Sequence, residues 1–203
     1  MAKRISWSIL LAILPLALML GCGELGKVDQ GRVIEYDKDK GTVILIRDMK
    51  ADPKNPDYSH LPPYQYVVPK DPAEMGPEPV AGKRMKLDTK KREIIFFDTA
   101  TQNFKTVSYT LVDQKENIEK DDPLVFDKAA DKGKKFPVVD RDKKTITVYS
   151  KRQRIFTVFS LPDEYFALPD DTWAAGDEVR IYYKQPGVAA RFMNISKTDI
   201  YKK

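Results

Sequence analysis

The chain of 203 residues contains only one cysteine and one histidine, and these two scarcities limit its chemistry. A single cysteine forms no disulfide within the chain, so the fold depends on its hydrophobic core. His60 is the only imidazole available as a metal ligand or as the base of a Ser-His-Asp triad, and no G-x-S-x-G nucleophile motif accompanies it. We therefore predict no metal site, no cofactor and no enzymatic activity.

Glycine-rich loops and a strong excess of one charge are also missing. Apart from Gly21, Gly23 and Gly26 around the cysteine, the ten glycines are scattered, and no phosphate-cradling loop that follows a predicted strand and opens a helix is present. The net charge is +5 from 35 basic and 30 acidic residues, with the two signs interspersed along the chain. Such a surface favours solubility rather than attraction to a polyanion, so we predict no nucleic-acid partner.

Only one long hydrophobic run is present, and it lies at the start of the chain. Ile5–Leu20 follows the cationic residues Lys3 and Arg4. A helix that spans a bilayer needs about 20 predominantly apolar residues, and this run is shorter. A short cationic start, an apolar run and a small residue at its end are typical of an export signal, so residues 1–21 are predicted to be a signal peptide.

The run ends in the stretch LMLGCGE, in which Gly21 directly precedes Cys22. This ending resembles the lipobox of bacterial lipoproteins, whose cysteine carries a diacylglyceryl group and becomes the new N-terminus. The resemblance implies that Cys22 is the lipid attachment point, and two or more acyl chains give stable anchoring to a membrane. An ordinary secretory signal with an unmodified cysteine is the alternative.

The residue after Cys22 is Gly23, whereas many lipoproteins retained at the inner membrane have Asp there. The resemblance therefore implies a cell-envelope protein anchored in the outer membrane and facing the periplasm. The inner membrane stays open as the alternative location.

Three similar stretches recur after the signal: YDKDKGTVILI, LDTKKREIIFF and VDRDKKTITVY. In each, an Asp stands five residues before an alternating apolar run, and these residues are Asp37, Asp88 and Asp140. Short charged stretches between alternating runs predict hairpins, with tips at residues 37–41, 88–92 and 140–144. Repetition of this kind indicates repeated strand-hairpin-strand units.

Period-two alternation dominates the chain after Cys22 and predicts an all-β fold of antiparallel hairpin meanders with internal repeats. Closure into barrels removes exposed strand edges, so we favour two small OB-like or SH3-like barrels, with one continuous three-unit β-meander as the alternative. The predicted organisation is a tether at 22–30, a first module at 31–113, a charged linker at 114–132 and a second module at 133–203.

The lipobox, the stretch GRVIEYDKDKGTVILI and the succession of hairpins together resemble an uncharacterised family of lipoproteins with a domain of unknown function, found in sulfate-reducing and related bacteria. The resemblance covers nearly the whole chain. It implies a location in the cell envelope and no catalytic residues.

Two segments are candidates for a binding site. An insertion at residues 52–81 holds eight of the 13 prolines that follow the signal, and Tyr and Pro in a loop present a rigid contact surface. The loop LPDEYFALPDDTW concentrates aromatic residues that can form a concave site. The candidate partner-binding residues are Tyr58, His60, Tyr64, Tyr66, Tyr165, Phe166 and Trp173.

These features favour a membrane-anchored envelope lipoprotein that acts as a non-enzymatic interaction or assembly module. Its expected partners are the membrane, through the lipid anchor, and another envelope protein. A small-molecule or glycan-binding envelope protein is the alternative.

Overall fold

The computed structural model describes residues 25–50 and 56–198, and within them the fold is all-β, as predicted. No described residue belongs to an α-helix, and no described helix is long and apolar enough to cross a membrane. Two short 3-10 turns, Asp163–Ala167 and Asp170–Thr172, are the helical elements. The strands are β1 (Lys27–Asp37), β2 (Thr42–Arg47), β3 (Tyr64–Val67), β4 (Arg84–Asp88), β5 (Glu93–Asp98), β6 (Asn103–Ser108), β7 (Thr110–Lys115), β8 (Phe126–Asp127), β9 (Lys132–Gly133), β10 (Val138–Asp140), β11 (Thr145–Ser150), β12 (Ile155–Ser160), β13 (Glu178–Gln185) and β14 (Val188–Asn194).

The three repeats are three-stranded units with the predicted hairpins. The units are β1–β2–β3, β4–β5–β6 and β10–β11–β12, and consecutive strands within each are paired antiparallel. Asp37, Asp88 and Asp140 end the first strand of each unit, and the second strand begins five residues later.

The same four-residue turn connects six hairpins, not three. The residue before each turn is Asp37, Asp88, Asp98, Asp127, Asp140 or Ser150, and its side-chain oxygen accepts hydrogen bonds from backbone N–H groups of the turn. The last turn residue has a positive φ in every case, between 46° and 62°. Only one of these six residues is a glycine, Gly41, so the side-chain acceptor is a main support for the left-handed conformation in the other five.

Asp98→Ala is expected to lower the melting temperature by a few degrees at neutral pH, because Asp98 holds the β5–β6 turn. Its carboxylate accepts hydrogen bonds from Lys105 Nζ (2.7 Å), Thr101 Oγ1 (2.9 Å) and the backbone N–H of Ala100 (3.0 Å). These bonds, led by that of Lys105, lower the pKa of Asp98 to about 2.

A pKa below the unfolded value of about 3.9 sets the pH dependence of this effect. The stabilisation by Asp98 is complete above the unfolded pKa and is lost as pH falls through about 2. Thermal unfolding followed by circular dichroism should therefore show a difference between wild type and Asp98→Ala that shrinks in acid. Asp39→Ala, at an exposed turn position, is the control, and an equal loss in both variants would contradict the role of the carboxylate.

Five strands close into a barrel in the order β1-β13-β14-β3-β2. Neighbouring strands run antiparallel except for β14 and β3, which meet at one parallel pair, Val188 and Val67. The barrel interior is filled by Val33, Val43, Leu45, Tyr66, Val179, Ile181, Ala189 and Phe192. These apolar side chains lie at alternating positions of the strands, as the period-two pattern requires.

A second core lies between the sheet β4-β5-β6 and the sheet β10-β11-β12-β7. Its buried residues come from both sheets and from the segment that contains the two 3-10 turns. A smaller cluster of Ile118, Val125 and Phe156 packs the segment after β7 against β12.

The structure does not divide into the two consecutive modules that the sequence predicted. The barrel combines β1 to β3 with β13 and β14, although the last two strands fall in the predicted second module. Residues 114–132, predicted to be a linker, include the end of β7 and carry the buried Ile118 and Val125. Strand patterns do not reveal pairing partners, so a barrel closed by both ends of the chain was not visible in the sequence. In addition, β1 begins at Lys27, inside the predicted tether of residues 22–30.

We call the barrel the first module of the structure and the two-sheet unit around the second core its second module. The two modules join where the barrel contacts β4 and β5. Ile34, Ile46, Tyr58, Met85 and Phe97 form a shared buried cluster there. The backbone N–H of Gly82 donates to the carbonyl of Val33 (3.1 Å), which ties the segment before β4 to β1.

Candidate functional site

Tyr58, the first aromatic residue of the insertion, is part of the joint between the modules. Its ring is buried in the shared cluster, and the guanidinium of Arg32 lies 4.4 Å from the ring centre. Burial raises the pKa of the Tyr58 phenol. Arg32 also donates from Nη1 to the carbonyls of Arg84 (3.1 Å) and Met85 (2.7 Å). Tyr58 therefore supports the fold and is not available on the surface.

His60 and Tyr64 form a second group, in which Tyr64 packs against the barrel core beside Arg47 and His60 stacks on Tyr64. Their rings stack with a centroid distance of 6.2 Å and an interplanar angle of 24°. The guanidinium of Arg47 lies 3.9 Å from the Tyr64 ring centre, and its Nη2 donates to the Tyr64 hydroxyl at 2.9 Å. A guanidinium over an aromatic ring is held by cation–π attraction, so Arg47 is fixed in place.

Tyr66 points into the barrel and connects to the same arginine through Asp29. Its hydroxyl donates to Asp29 Oδ2, and Asp29 Oδ1 accepts from Arg47 Nη1 at 3.3 Å. Burial, followed by the hydrogen bond to Asp29, raises the pKa of Tyr66. The structure thus links His60, Tyr64 and Tyr66 through Arg47 and Asp29, whereas it separates Tyr58 from them.

A cleft of about 420 Å³ opens at this end of the barrel, where β1 begins and β2 ends. Its lining residues are Val28, Asp29, Gln30, Arg47, Asp48, Met49 and Arg180. Two guanidinium groups and two carboxylates therefore lie beside two aliphatic side chains. We refer to this feature as the barrel-end cleft.

Most polar groups of the cleft are hydrogen-bonded to neighbouring protein groups. Gln30 donates from Nε2 to Glu178 Oε1 at 2.5 Å and accepts from Arg180 Nη2 at 2.8 Å. Asp48 Oδ1 accepts from the backbone N–H groups of Lys50 (3.0 Å) and Asp57 (2.7 Å), which closes the loop after β2. Such a network presents preformed hydrogen-bonding groups to whatever enters the cleft.

One carboxylate oxygen among the cleft residues has no hydrogen-bond partner among the described residues. Asp48 is 7% exposed, and its Oδ2 has no hydrogen-bond partner in the described part of the chain. Nε of Arg47 is buried and unpaired in the same way. An unsatisfied buried acceptor costs free energy, so a donor from solvent or from a ligand is favoured at this position.

The second predicted aromatic site is a packed core. Trp173 is fully buried, and its ring meets Phe96 and Tyr165 edge to face, with centroid distances of 5.3 and 6.4 Å. Phe166 is buried in the same cluster and Tyr165 packs against it. The two 3-10 turns fold these side chains onto the sheets, so Phe166 and Trp173 are core residues and Tyr165 packs against that core.

A narrower groove of about 240 Å³ separates the barrel surface from the β5–β6 hairpin. Its apolar walls come from Ile34, Ile44, Pro62, Pro63 and Phe97, and its polar rim from Glu35, Gln65, Thr99 and Gln102. Pro62, Pro63 and Gln65 belong to the insertion predicted to bind a partner. We refer to this feature as the intermodule groove.

No cluster of three or more His, Cys, Asp or Glu side chains that would hold a metal ion exists within residues 25–50 and 56–198. Cys22 lies outside the described residues, and its predicted lipidation is taken up below.

Sequence reasoning missed Asp29, Gln30, Arg47, Asp48 and Arg180, which build the cleft. The sequence around Arg47 and Asp48 gives only a weak indication of a site, because charged residues directly after an apolar run such as VILI are common at the end of a strand. Arg180 reaches Gln30 only because β13 pairs with β1, a contact that no local pattern indicates.

Comparison with known proteins gives a family and no function. Residues 24–203 match the family DUF4881, described as a domain of unknown function. No similar protein was found among the curated proteins or among the solved structures. Because the match covers nearly the whole chain, the protein belongs to the DUF4881 family, an uncharacterised family as the sequence suggested.

Proposed function

We propose that this protein is a lipid-anchored cell-envelope protein, attached through Cys22, that acts as a non-enzymatic interaction module. The intermodule groove is the observation that supports an interaction role. It combines apolar walls with amide and hydroxyl side chains on its rim, which is the composition of a site for a short segment of a partner. The proposed partner is another envelope protein, and the proposed location is the outer membrane, facing the periplasm.

Cys22→Ala is expected to abolish incorporation of a labelled fatty acid and to release the protein from the membrane fraction. The thioether to lipid forms only on the cysteine sulfur, so the substitution removes the proposed anchor. The measurement is fractionation after a high-salt wash, because the positive charge of the chain allows weak electrostatic retention.

Gly23→Ala, the matched control beside the cysteine, should keep both the label and the attachment. Recovery of Cys22→Ala in the washed membrane fraction would contradict the lipoprotein assignment.

Gln65→Arg is expected to reduce the amount of partner captured by crosslinking in cells about tenfold, which corresponds to about 1.4 kcal/mol of binding free energy. The substitution places a long cation on the exposed rim of the groove without disturbing the core. A rim variant is preferable to deletion of the segment, because deletion removes the buried Tyr58.

Gln153→Arg makes the same chemical change in the exposed β11–β12 turn and should leave capture unchanged. Equal capture by Gln65→Arg and the wild type would exclude the groove as the partner site.

A small-molecule or glycan-binding role is the second candidate, and the volume of the barrel-end cleft favours it. Ligand pockets are typically about 300 to 1,000 Å³, and the cleft is about 420 Å³. A soluble ligand of this site would raise the melting temperature of the protein in a screen of envelope metabolites and glycans.

A further inference from the structure

The barrel end that carries the cleft also has three exposed apolar side chains. Leu25 is 95% exposed, Val28 is 56% exposed and Met49 is 52% exposed. Val28 and Met49 line the cleft itself, and Leu25 precedes β1 at the same end. Exposed apolar groups that cluster beside a polar site mark a contact surface rather than ordinary surface scatter.

Cations border these apolar side chains. Lys27, Lys50 and Arg180 are exposed, and Lys27 and Lys50 are direct sequence neighbours of Val28 and Met49. Asp29, the carboxylate of β1 in the cleft, is already engaged by Arg47 and Tyr66. The barrel end therefore presents apolar side chains among exposed cations, one of which, Arg180, also donates to Gln30. This composition suits the interface of an anionic bilayer.

The start of β1 brings this end close to the proposed anchor. Cys22 precedes Leu25 by three residues, and an extended chain spans at most about 3.6 Å per residue. A lipid on Cys22 would hold the backbone of Leu25 within about 11 Å of the anchored cysteine. The opposite end of the barrel, with the β1–β2 turn at 38–41, is directed away from it.

We propose that the barrel end is a membrane-docking surface. Leu25, Val28 and Met49 enter the interfacial region of the bilayer, and Arg180 meets a headgroup phosphate at the mouth of the cleft.

This inference rests on the proposed lipid anchor. A short tether keeps the surface at a high effective concentration beside the membrane, so a contact of low intrinsic affinity is sufficient for docking.

The test uses the full lipidated protein, whose single native cysteine is occupied by lipid. Met49→Cys then supplies one free thiol for an environment-sensitive dye, and Val138→Cys, at a residue 50% exposed in the second module, supplies the matched control. Each labelled protein is reconstituted into vesicles of phosphatidylethanolamine and phosphatidylglycerol that contain a headgroup quencher.

Docking predicts that the dye at residue 49 shifts to the blue and is quenched severalfold more than the dye at residue 138. A double variant, Lys27→Glu with Arg180→Glu, should remove most of the difference between the two positions while the protein stays on the vesicles. This second arm separates docking from mere proximity of a tethered domain, since proximity does not depend on these two charges.

Three results would overturn the proposal in distinguishable ways. Failure of the protein to float with vesicles would contradict the lipid anchor itself. Flotation with equal dye signals at both positions would contradict the docking surface and leave the lipid anchor supported. A shift at residue 49 that requires native envelope proteins in the vesicles, or that free phosphoethanolamine produces without vesicles, would assign the surface to a protein partner or to a soluble ligand.

Discussion

Trp173→Ala is expected to lower the free energy of unfolding by about 3 to 5 kcal/mol, the range measured when a large buried aromatic side chain is truncated. Trp173 is fully buried, and its ring joins Phe96 of β5 to Tyr165 of the first 3-10 turn. Urea unfolding followed by far-ultraviolet circular dichroism measures the loss. A loss of this size is a large fraction of the free energy of unfolding of about 5 to 15 kcal/mol that is usual for folded proteins.

Two further variants serve as comparisons for the stability loss of Trp173→Ala. Trp173→Phe should cost clearly less than Trp173→Ala, because it keeps much of the packing and removes an indole N–H that has no partner among the described residues. Val112→Ala, at an exposed position of β7, should change stability by no more than about 0.5 kcal/mol. A Trp173→Ala protein as stable as Val112→Ala would show that the 163–173 segment is detached from the core, and would restore it as a candidate binding loop.

Gly176→Ala is expected to destabilise the protein by about 3 kcal/mol, the upper end of the usual cost of overpacking. A Cβ at this position would lie 1.8 Å from the carbonyl oxygen of Val33 and 3.0 Å from the backbone nitrogen of Gly82. Both contacts are to backbone atoms, which cannot rotate away as a side chain can. The clash would separate β1 from the segments that lead into β4 and β13, where the two modules join.

Gly133→Ala is the control, since the nearest atom to its added Cβ, the carbonyl oxygen of Val125, is 3.9 Å away. Its stability should stay within about 0.5 kcal/mol of the wild type. A mild effect of Gly176→Ala would mean that the barrel and the second module separate at little cost. The joint would then be a hinge rather than a rigid contact.

The hairpins were accessible from sequence because their determinants are local. An Asp, four turn residues and an alternating strand occur within eleven positions, and all three predicted tips are turns. The turns after Asp98, Asp127 and Ser150 follow the same spacing and were overlooked. Arg92 and Lys144 adopt a positive φ that their residue types do not favour, so only the repeated position in the turn indicates it.

The predicted binding residues were accessible only in part. Aromatic residues in loops are typical of contact surfaces and also of small cores, and composition does not separate the two. Tyr58 and Trp173 are buried core residues, whereas Tyr64 and His60 are only partly buried, with Tyr64 beside Arg47. Whether such a ring is buried depends on which sheet packs against it, and no single segment of sequence contains that information.

The sequence by itself determined the all-β class, the repeated hairpins and the family, because alternation and turn chemistry act over a few residues. The tertiary structure alone decided which strands close the barrel and which charges meet in its cleft. Gln30 contacts Glu178 and Arg180 across separations of 148 and 150 residues, and Arg47 meets Asp29 only once β2 is paired with β1. Contacts so distant along the chain arise from the packing of the whole fold, so the cleft exists only after the two ends of the chain have joined in one barrel.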